Sequence, residues 1–288
     1  MFRRVLILLA VLSLGYLGVG LLIVLWMSGP KRRAPWVTPA SVGLEYEDVD
    51  IFSTDGVRLR CWWVPAGDSA RAAVLVPGWG GYKCEEHLLQ TIPIYHDAGY
   101  GVLLLDLRAQ GESGGSCRTL GYREVRDVRG VLVWLRRRGY TLDRVVLHGW
   151  SMGGATVLRA APGTGVAAVV EEAGYGDLPL LLRRKLPEFV RFGDLLEPAI
   201  LFAGRLFPDF DPWDVVPRRE AKELSEEGVP LFIIHSTDDT VVPFEQAKTL
   251  AAAHPEADFW SLEDYGHVEA YAHPAYAQKL RGFLDALR

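Results

Sequence analysis

Ser151 stands in Gly149-Trp150-Ser151-Met152-Gly153, with an apolar run, Arg144 to His148, before it and a helix-forming stretch, Ala155 to Ala160, after it. Glycines two residues to either side let a strand turn sharply into a helix where any Cβ would collide with its neighbours. Such a turn, the G-x-S-x-G elbow, lifts the hydroxyl to the carboxyl edge of a sheet, beside the N–H groups of a helix N-terminus. Serine is a weak nucleophile at its ordinary pKa. The chemistry therefore requires a base, an acid that orients the base, and donors for a developing oxyanion.

Each part has a candidate. For the base it is His267, in Asp264-Tyr265-Gly266-His267 just past the last apolar run. His148 and His235 end apolar runs and read as packed near the site, while His87, His96, His254 and His273 fall on helices or helix ends. For the acid, the segment Leu231 to Pro243 offers two adjacent aspartates, Asp238 and Asp239, which position alone does not separate. Glu171 and Glu172 read as loop or lid anchors. Val76-Pro77-Gly78-Trp79-Gly80-Gly81 follows another apolar run, and its glycines allow close backbone approach to a ligand. The N–H groups of Trp79 and Met152 are the candidate oxyanion donors; an ordinary glycine turn is the plainer reading. The loop Asp106 to Gly115 reads as structural packing beside the elbow.

These residues need a scaffold. Strands are expected at Glu45 to Ser53, Val57 to Val64, Ala72 to Val76, Gly101 to Asp106, Arg144 to His148, Val166 to Glu171, Leu231 to His235 and Ala257 to Ser261. The first two are joined by the turn Thr54-Asp55-Gly56 and pair antiparallel. Helices are expected at Glu85 to Ala98, Thr119 to Arg138, Ser151 to Ala160, Phe244 to Ala253 and Pro274 to Leu287. Short all-apolar runs alternating with helices indicate an α/β class, with strands buried on both faces of a mostly parallel sheet. An insertion, Tyr175 to Pro217, is too long for a simple βα connection. Its apolar positions, Leu178 to Phe202 with Phe189 among them, suit two or three short helices forming a lid over Ser151, or a helical excursion at the side of the sheet.

Val5 to Met27 is an uncharged run of 23 residues, about 34 Å as a helix and enough for a bilayer core. Residues 1–30 are read as a single-pass membrane anchor, 31–44 as a linker and 45–288 as the globular domain. A cleaved signal is the alternative, although its apolar stretch is normally ~7–15 residues. Arg3 and Arg4 on one flank balance Lys31, Arg32 and Arg33 on the other, so the side of the membrane is open. A net charge of −5, with no basic run beyond residue 33, argues against nucleic acid as partner. The three cysteines, Cys61, Cys84 and Cys117, have no metal-ligand or disulfide spacing and read as packed thiols.

Over about Glu45 to Arg288 the chain resembles the α/β-hydrolase superfamily. The P-G-W-G-G turn is similar to its H-G-x-x-G oxyanion motif, with Pro77 in place of the usual His. Asp106 to Gly115 and the H-G-x-S-M-G-G elbow are typical, and His235-Ser236-Thr237-Asp238-Asp239-Thr240-Val241-Val242-Pro243 resembles H-G-x-x-D-x-x-V-P, an alignment that selects Asp239. The nearest branches are the serine aminopeptidase-like and monoacylglycerol-lipase-like hydrolases. The resemblance implies a triad of Ser151, Asp239 and His267, an eight-stranded fold with a lid after the sixth strand, and acyl transfer to water with no cofactor and no metal. The anchor and the leucine-rich insertion favour an apolar ester, thioester or lipid substrate. Peptidase or acyltransferase activity on the same triad, and a non-catalytic binding protein held at the membrane, are the alternatives. Oligomeric state is not legible.

Overall fold

The computed structural model describes residues 2–206 and 210–287, with the side chain of Phe189 excepted; the part of the expected insertion at 207–209 lies outside the described residues. The eight apolar runs become eight strands of one sheet: β1 (Glu47–Phe52), β2 (Arg58–Val64), β3 (Ala72–Val76), β4 (Gly101–Leu105), β5 (Val145–Trp150), β6 (Ala168–Glu172), β7 (Leu231–Ser236) and β8 (Asp258–Leu262). Their order is β8-β7-β6-β5-β3-β4-β2-β1. β2 runs antiparallel to β1 and β4, and the other pairings are parallel. The helices are α1 (Phe2–Ser28), α2 (Glu86–Asp97), α3 (Val125–Arg137), α4 (Met152–Ala160), α5 (Leu178–Phe189), α6 (Gly193–Leu206), α7 (Pro217–Glu227), α8 (Glu245–Ala253) and α9 (Tyr276–Ala286).

Alternate residues of each central strand feed two cores. In β3, Ala72, Val74 and Val76 face α3, α4, α7 and α8, while Ala73 and Leu75 face α2 and α9. Covering both faces explains why these strands are apolar throughout rather than alternating. Each fully buried Val or Leu contributes about 1.5–3 kcal/mol. The chain passes from β3 to β4 on one side and then to β5 on the other, opening a crevice at the carboxyl ends of β3 and β5, where ligands of open α/β sheets bind.

Three local features differ from expectation. α3 begins at Val125 rather than Thr119, because the Glu124 carboxylate accepts hydrogen bonds from Thr119 N, Thr119 Oγ1 and Gly121 N. That closes a tight turn through Leu120 and Gly121, both at positive φ, which a helix cannot include. α7 was not anticipated, although Pro217 in its first turn and the left-handed Gly228 at its end are the standard start and stop signals. Lys31–Arg32, within the stretch read as a linker, forms a short parallel bridge with Gln110–Gly111.

The described insertion contains α5, α6 and a 3-10 turn at Pro212–Asp214. α1 is long and apolar enough to cross a membrane, with a mean hydropathy of 2.6 in its most apolar window. Its residues up to Gly15 stand clear of the domain, and from Tyr16 onward it lies against the insertion.

Candidate active site

The elbow is the tightest backbone in the crevice. A Cβ on Gly153 would lie 2.1 Å from the Val76 carbonyl oxygen, and one on Gly149 2.2 Å from that of Gly153. Ser151 itself has φ 55 and ψ −122, a sparsely populated conformation that costs on the order of 1–3 kcal/mol. The strand pairing holds it there: Ser151 N donates to Glu172 O at 2.8 Å, and Ser151 O accepts from Ala155 N at 3.1 Å inside the first turn of α4.

The fold brings His267 and Asp239 to this serine. His267 Nε2 lies 2.9 Å from Ser151 Oγ, and its Nδ1 lies 2.7 Å from Asp239 Oδ2. A carboxylate can only accept, so Nδ1 carries the proton and Nε2 is left as an acceptor facing the hydroxyl. The other oxygen, Oδ1, accepts from Val241 N at 2.8 Å and Val242 N at 2.9 Å, which fixes the carboxylate on its loop. Asp238 points elsewhere and accepts from Asp264 N at 2.8 Å.

The remaining candidates are structural neighbours. His235 Nε2 donates to the Val242 carbonyl at 2.9 Å, bracing the Asp239 loop from below, and burial holds its pKa below the ordinary value. His148 is buried beneath the elbow, stacked on Trp150 with ring centroids 3.8 Å apart, and burial pushes its pKa far down. Glu171 and Glu172 are buried at the end of β6, where burial raises both carboxyls to about 8. Glu171 accepts from Gly174 N and Glu172 from the Tyr276 hydroxyl at 2.9 Å. Neither touches His267 among the hydrogen bonds of the site; Glu171 buttresses the turn after β6, and Glu172 ties the strand end to α9.

The glycine turn after β3 abuts the elbow. A Cβ on Gly78 would meet Ser151 Cβ at 3.2 Å. Gly81 N donates to Gly78 O at 3.1 Å, and the Gln110 side chain accepts from Gly80 N and donates to Gly78 O. The loop after β4 therefore packs on this turn, which itself abuts the elbow. It is pinned by Asp106, whose carboxylate accepts from buried Lys83 Nζ at 2.7 Å, Lys83 N at 2.8 Å and Glu112 N at 3.0 Å. Trp79 and Met152 both line the space above Ser151. As the first residue of α4, Met152 carries one of the N–H groups that a helix leaves unpaired.

That space is an apolar cavity of about 380 Å³, within the usual range of ~300–1,000 Å³ for small-molecule sites. The insertion roofs it with Leu178, Leu181, Leu182, Leu186 and Val190, and Val241 and Val242 close one side. Sequence reasoning missed two of its features. Trp26 and Met27 of α1 also line it, and Arg118 lies behind Trp79 with its guanidinium 4.7 Å from the ring. Neither has a motif that would mark it. Among the described residues no group of three or more His, Cys, Asp or Glu side chains is placed to hold a metal.

Residues 73–278 match the alpha/beta hydrolase family. The chain is 29% identical to the human protein ABHD12B over 204 residues, 66% of this chain and 52% of that protein. It is 27% identical to the Danio rerio lysophosphatidylserine lipase ABHD12 over 251 residues, 78% of this chain and 61% of the lipase. It thus spans between about half and three fifths of the length of these two relatives. The esterase Pf2001 of Pyrococcus furiosus superposes with a TM-score of 0.72 at 24% identity, covering 90% of this chain and 98% of that one, a likeness of fold.

Proposed function

This chain belongs to the alpha/beta hydrolase family, and from that premise we propose that it is a membrane-anchored serine hydrolase cleaving carboxylic ester or thioester bonds of apolar acyl substrates. The observation that carries the reading is Ser151 on the lining of an apolar cavity, hydrogen-bonded in series to His267 and, through it, to Asp239. In the first half-reaction Ser151 Oγ attacks the acyl carbon as its proton passes to His267 Nε2. Asp239 holds the ring and stabilises the imidazolium. The N–H groups of Trp79 and Met152 receive the oxyanion. Collapse of the tetrahedral intermediate breaks the bond to the leaving group, which takes the proton from Nε2. Water, deprotonated by the same nitrogen, then releases the acid and restores Oγ–H.

The domain division into anchor (1–30), linker (31–44) and hydrolase (45–288, insertion at 175–217) belongs to the same proposal. So does α1 as a single-pass anchor; a signal sequence would pass the same test of length and apolarity. A single-chain lipid ester suits the leucine-lined cavity, and a lysophospholipid is the class named for the zebrafish relative. The test is hydrolysis of an acyl-ester series by the full chain and by Ser151→Ala. Removal of the nucleophile should lower kcat by about 10⁴–10⁶. Equal activity in the variant removes Ser151 from the mechanism; no activity in either favours the peptidase or binding-protein alternatives.

A further inference from the structure

α1 does not end at a free hinge. Its second half runs alongside α6 in the same direction: the Tyr16 hydroxyl donates to Leu195 O at 2.5 Å, and Gly20 meets Ala199 so closely that a Cβ would lie 2.6 Å from the Ala199 carbonyl carbon. Val24 joins Leu186, Ile200 and Ala203 in one cluster. Matching steps of four on both helices are what a parallel pair with a small-residue contact requires. The last carbonyls of α1 are then capped by one buried residue. Arg118 N donates to Ser28 O, Nε to Gly29 O and Nη2 to Met27 O, each at 2.8 Å. The same guanidinium lies over the Trp79 ring, and Lys31–Arg32 pairs with Gln110–Gly111, whose glutamine holds the glycine turn. The end of the helix is tied to the nucleophile side of the cavity twice.

On the serine-hydrolase reading, we propose that the last turn of α1 is part of the substrate site: Trp26 and Met27 form the entrance and one wall of the channel that takes the acyl chain. Trp26 lines the cavity while 74% exposed, which places it at the rim; Met27, half-buried, lies inside it. A tryptophan at a membrane–water boundary with an unbranched, adaptable methionine behind it suits the passage of an alkyl chain from a leaflet. The helix thereby selects substrate as well as tethering the enzyme.

The test uses the full chain in detergent micelles with p-nitrophenyl esters from short to long acyl chains. Each methylene buried in the channel is worth about fourfold in kcat/KM. Met27→Trp, by displacing about two of them, should lower long-chain kcat/KM by on the order of tenfold while leaving the shortest ester nearly unchanged. Met27→Ala and Trp26→Ala should move the optimum toward longer chains. Leu14→Ala, on the part of α1 clear of the domain, should leave the profile as it is. Wild-type profiles in all three channel variants overturn the inference while leaving the serine-hydrolase reading intact. A wild type that hydrolyses no ester removes that reading instead, and the channel is then judged by binding of 11-dansylundecanoic acid. Met27→Trp must weaken that binding about tenfold, and equal binding sinks the channel as well.

Discussion

Replacing Asp239 with asparagine separates two adjacent carboxylates whose surroundings differ. Oδ1 of Asp239 already serves two backbone donors, Val241 N and Val242 N, and an asparagine has only one oxygen to offer. Turning its NH₂ toward them would leave both donors unpaired, at about 1–3 kcal/mol for the buried Val242 N. The oxygen therefore stays on the loop, and the NH₂ takes the place of Oδ2, 2.7 Å from His267 Nδ1. Nδ1 must then accept, the ring proton moves to Nε2, and the atom facing Ser151 Oγ can no longer receive its proton. The wrong tautomer should lower kcat by about 10⁴, or about 5 kcal/mol of transition-state stabilisation. KM should change little, since Asp239 does not line the cavity. Steady-state hydrolysis of p-nitrophenyl butyrate measures both, with thermal melts to verify the fold. For Asp238→Asn, the bonds from Asp264 N and Thr237 Oγ1 both fall on Oδ2 and are ones an amide oxygen can keep, and activity should stay within about threefold. Asp239→Asn retaining a tenth of wild-type kcat, or Asp238→Asn falling to about a tenth or below, would refute the orientation argument.

Gly153→Ala forces a methyl to within 2.1 Å of the Val76 carbonyl and should destabilise the domain by about 3 kcal/mol or more; an unchanged melting temperature contradicts the elbow geometry. Lys83→Met leaves the Asp106 carboxylate buried without its cation, and a loss of about 3–5 kcal/mol is expected in denaturant titrations. Stability should also depend on pH through Glu171 and Glu172. Burial raises their folded values to about 8, so the unfolded state releases protons first, and stability is full below the ordinary carboxyl range and declines as pH rises toward 8. Buried His87, held down to about 3, acts in the opposite sense only below its ordinary value of 6.5. The melting temperature should therefore drop between pH 6.5 and 8, and the double variant Glu171→Gln, Glu172→Gln should flatten that slope; an equal slope in both proteins would contradict it.

The sheet was legible because its central strands are buried on both faces and have no alternation to blur: Ala72 to Val76 reads unbroken and is found unbroken. Ser151 announces itself through glycines that its turn physically requires. His267 could be anticipated from its loop at a strand end. The two aspartates could not be separated on position alone, because a one-residue shift on a loop reverses which carboxyl faces the imidazole, and only the resemblance chose between them. Arg118 was illegible for another reason. Its partners are three main-chain carbonyls and an aromatic ring, none of which imposes a residue type at a fixed spacing. The start of α3 was not legible because it is set by a tertiary detail: the Glu124 side chain binds the backbone of the preceding turn and holds Leu120 and Gly121 out of the helix.

The parallel packing of α1 on α6 sets a depth. The uncharged, unpacked part of α1, Val5 to Gly15, is about 16 Å long, roughly half of the ~30 Å hydrocarbon thickness of a bilayer. On the anchor reading, the missing half is supplied by Tyr16 to Met27, of which Tyr16, Gly20 and Val24 already pack on α6. A leaflet that accommodates them must also receive the outward side of α6, where Leu195, Phe202 and Leu206 are exposed. An environment-sensitive fluorophore at Phe202→Cys should shift to the blue when vesicles are added; an unchanged spectrum would set α6 in water and α1 apart from it. On the anchor and hydrolase readings, a two-helix wedge, and no single thread, meets the lipid at the depth the pairing dictates, and an alkyl chain leaving the leaflet beside Trp26 reaches Ser151 without crossing water.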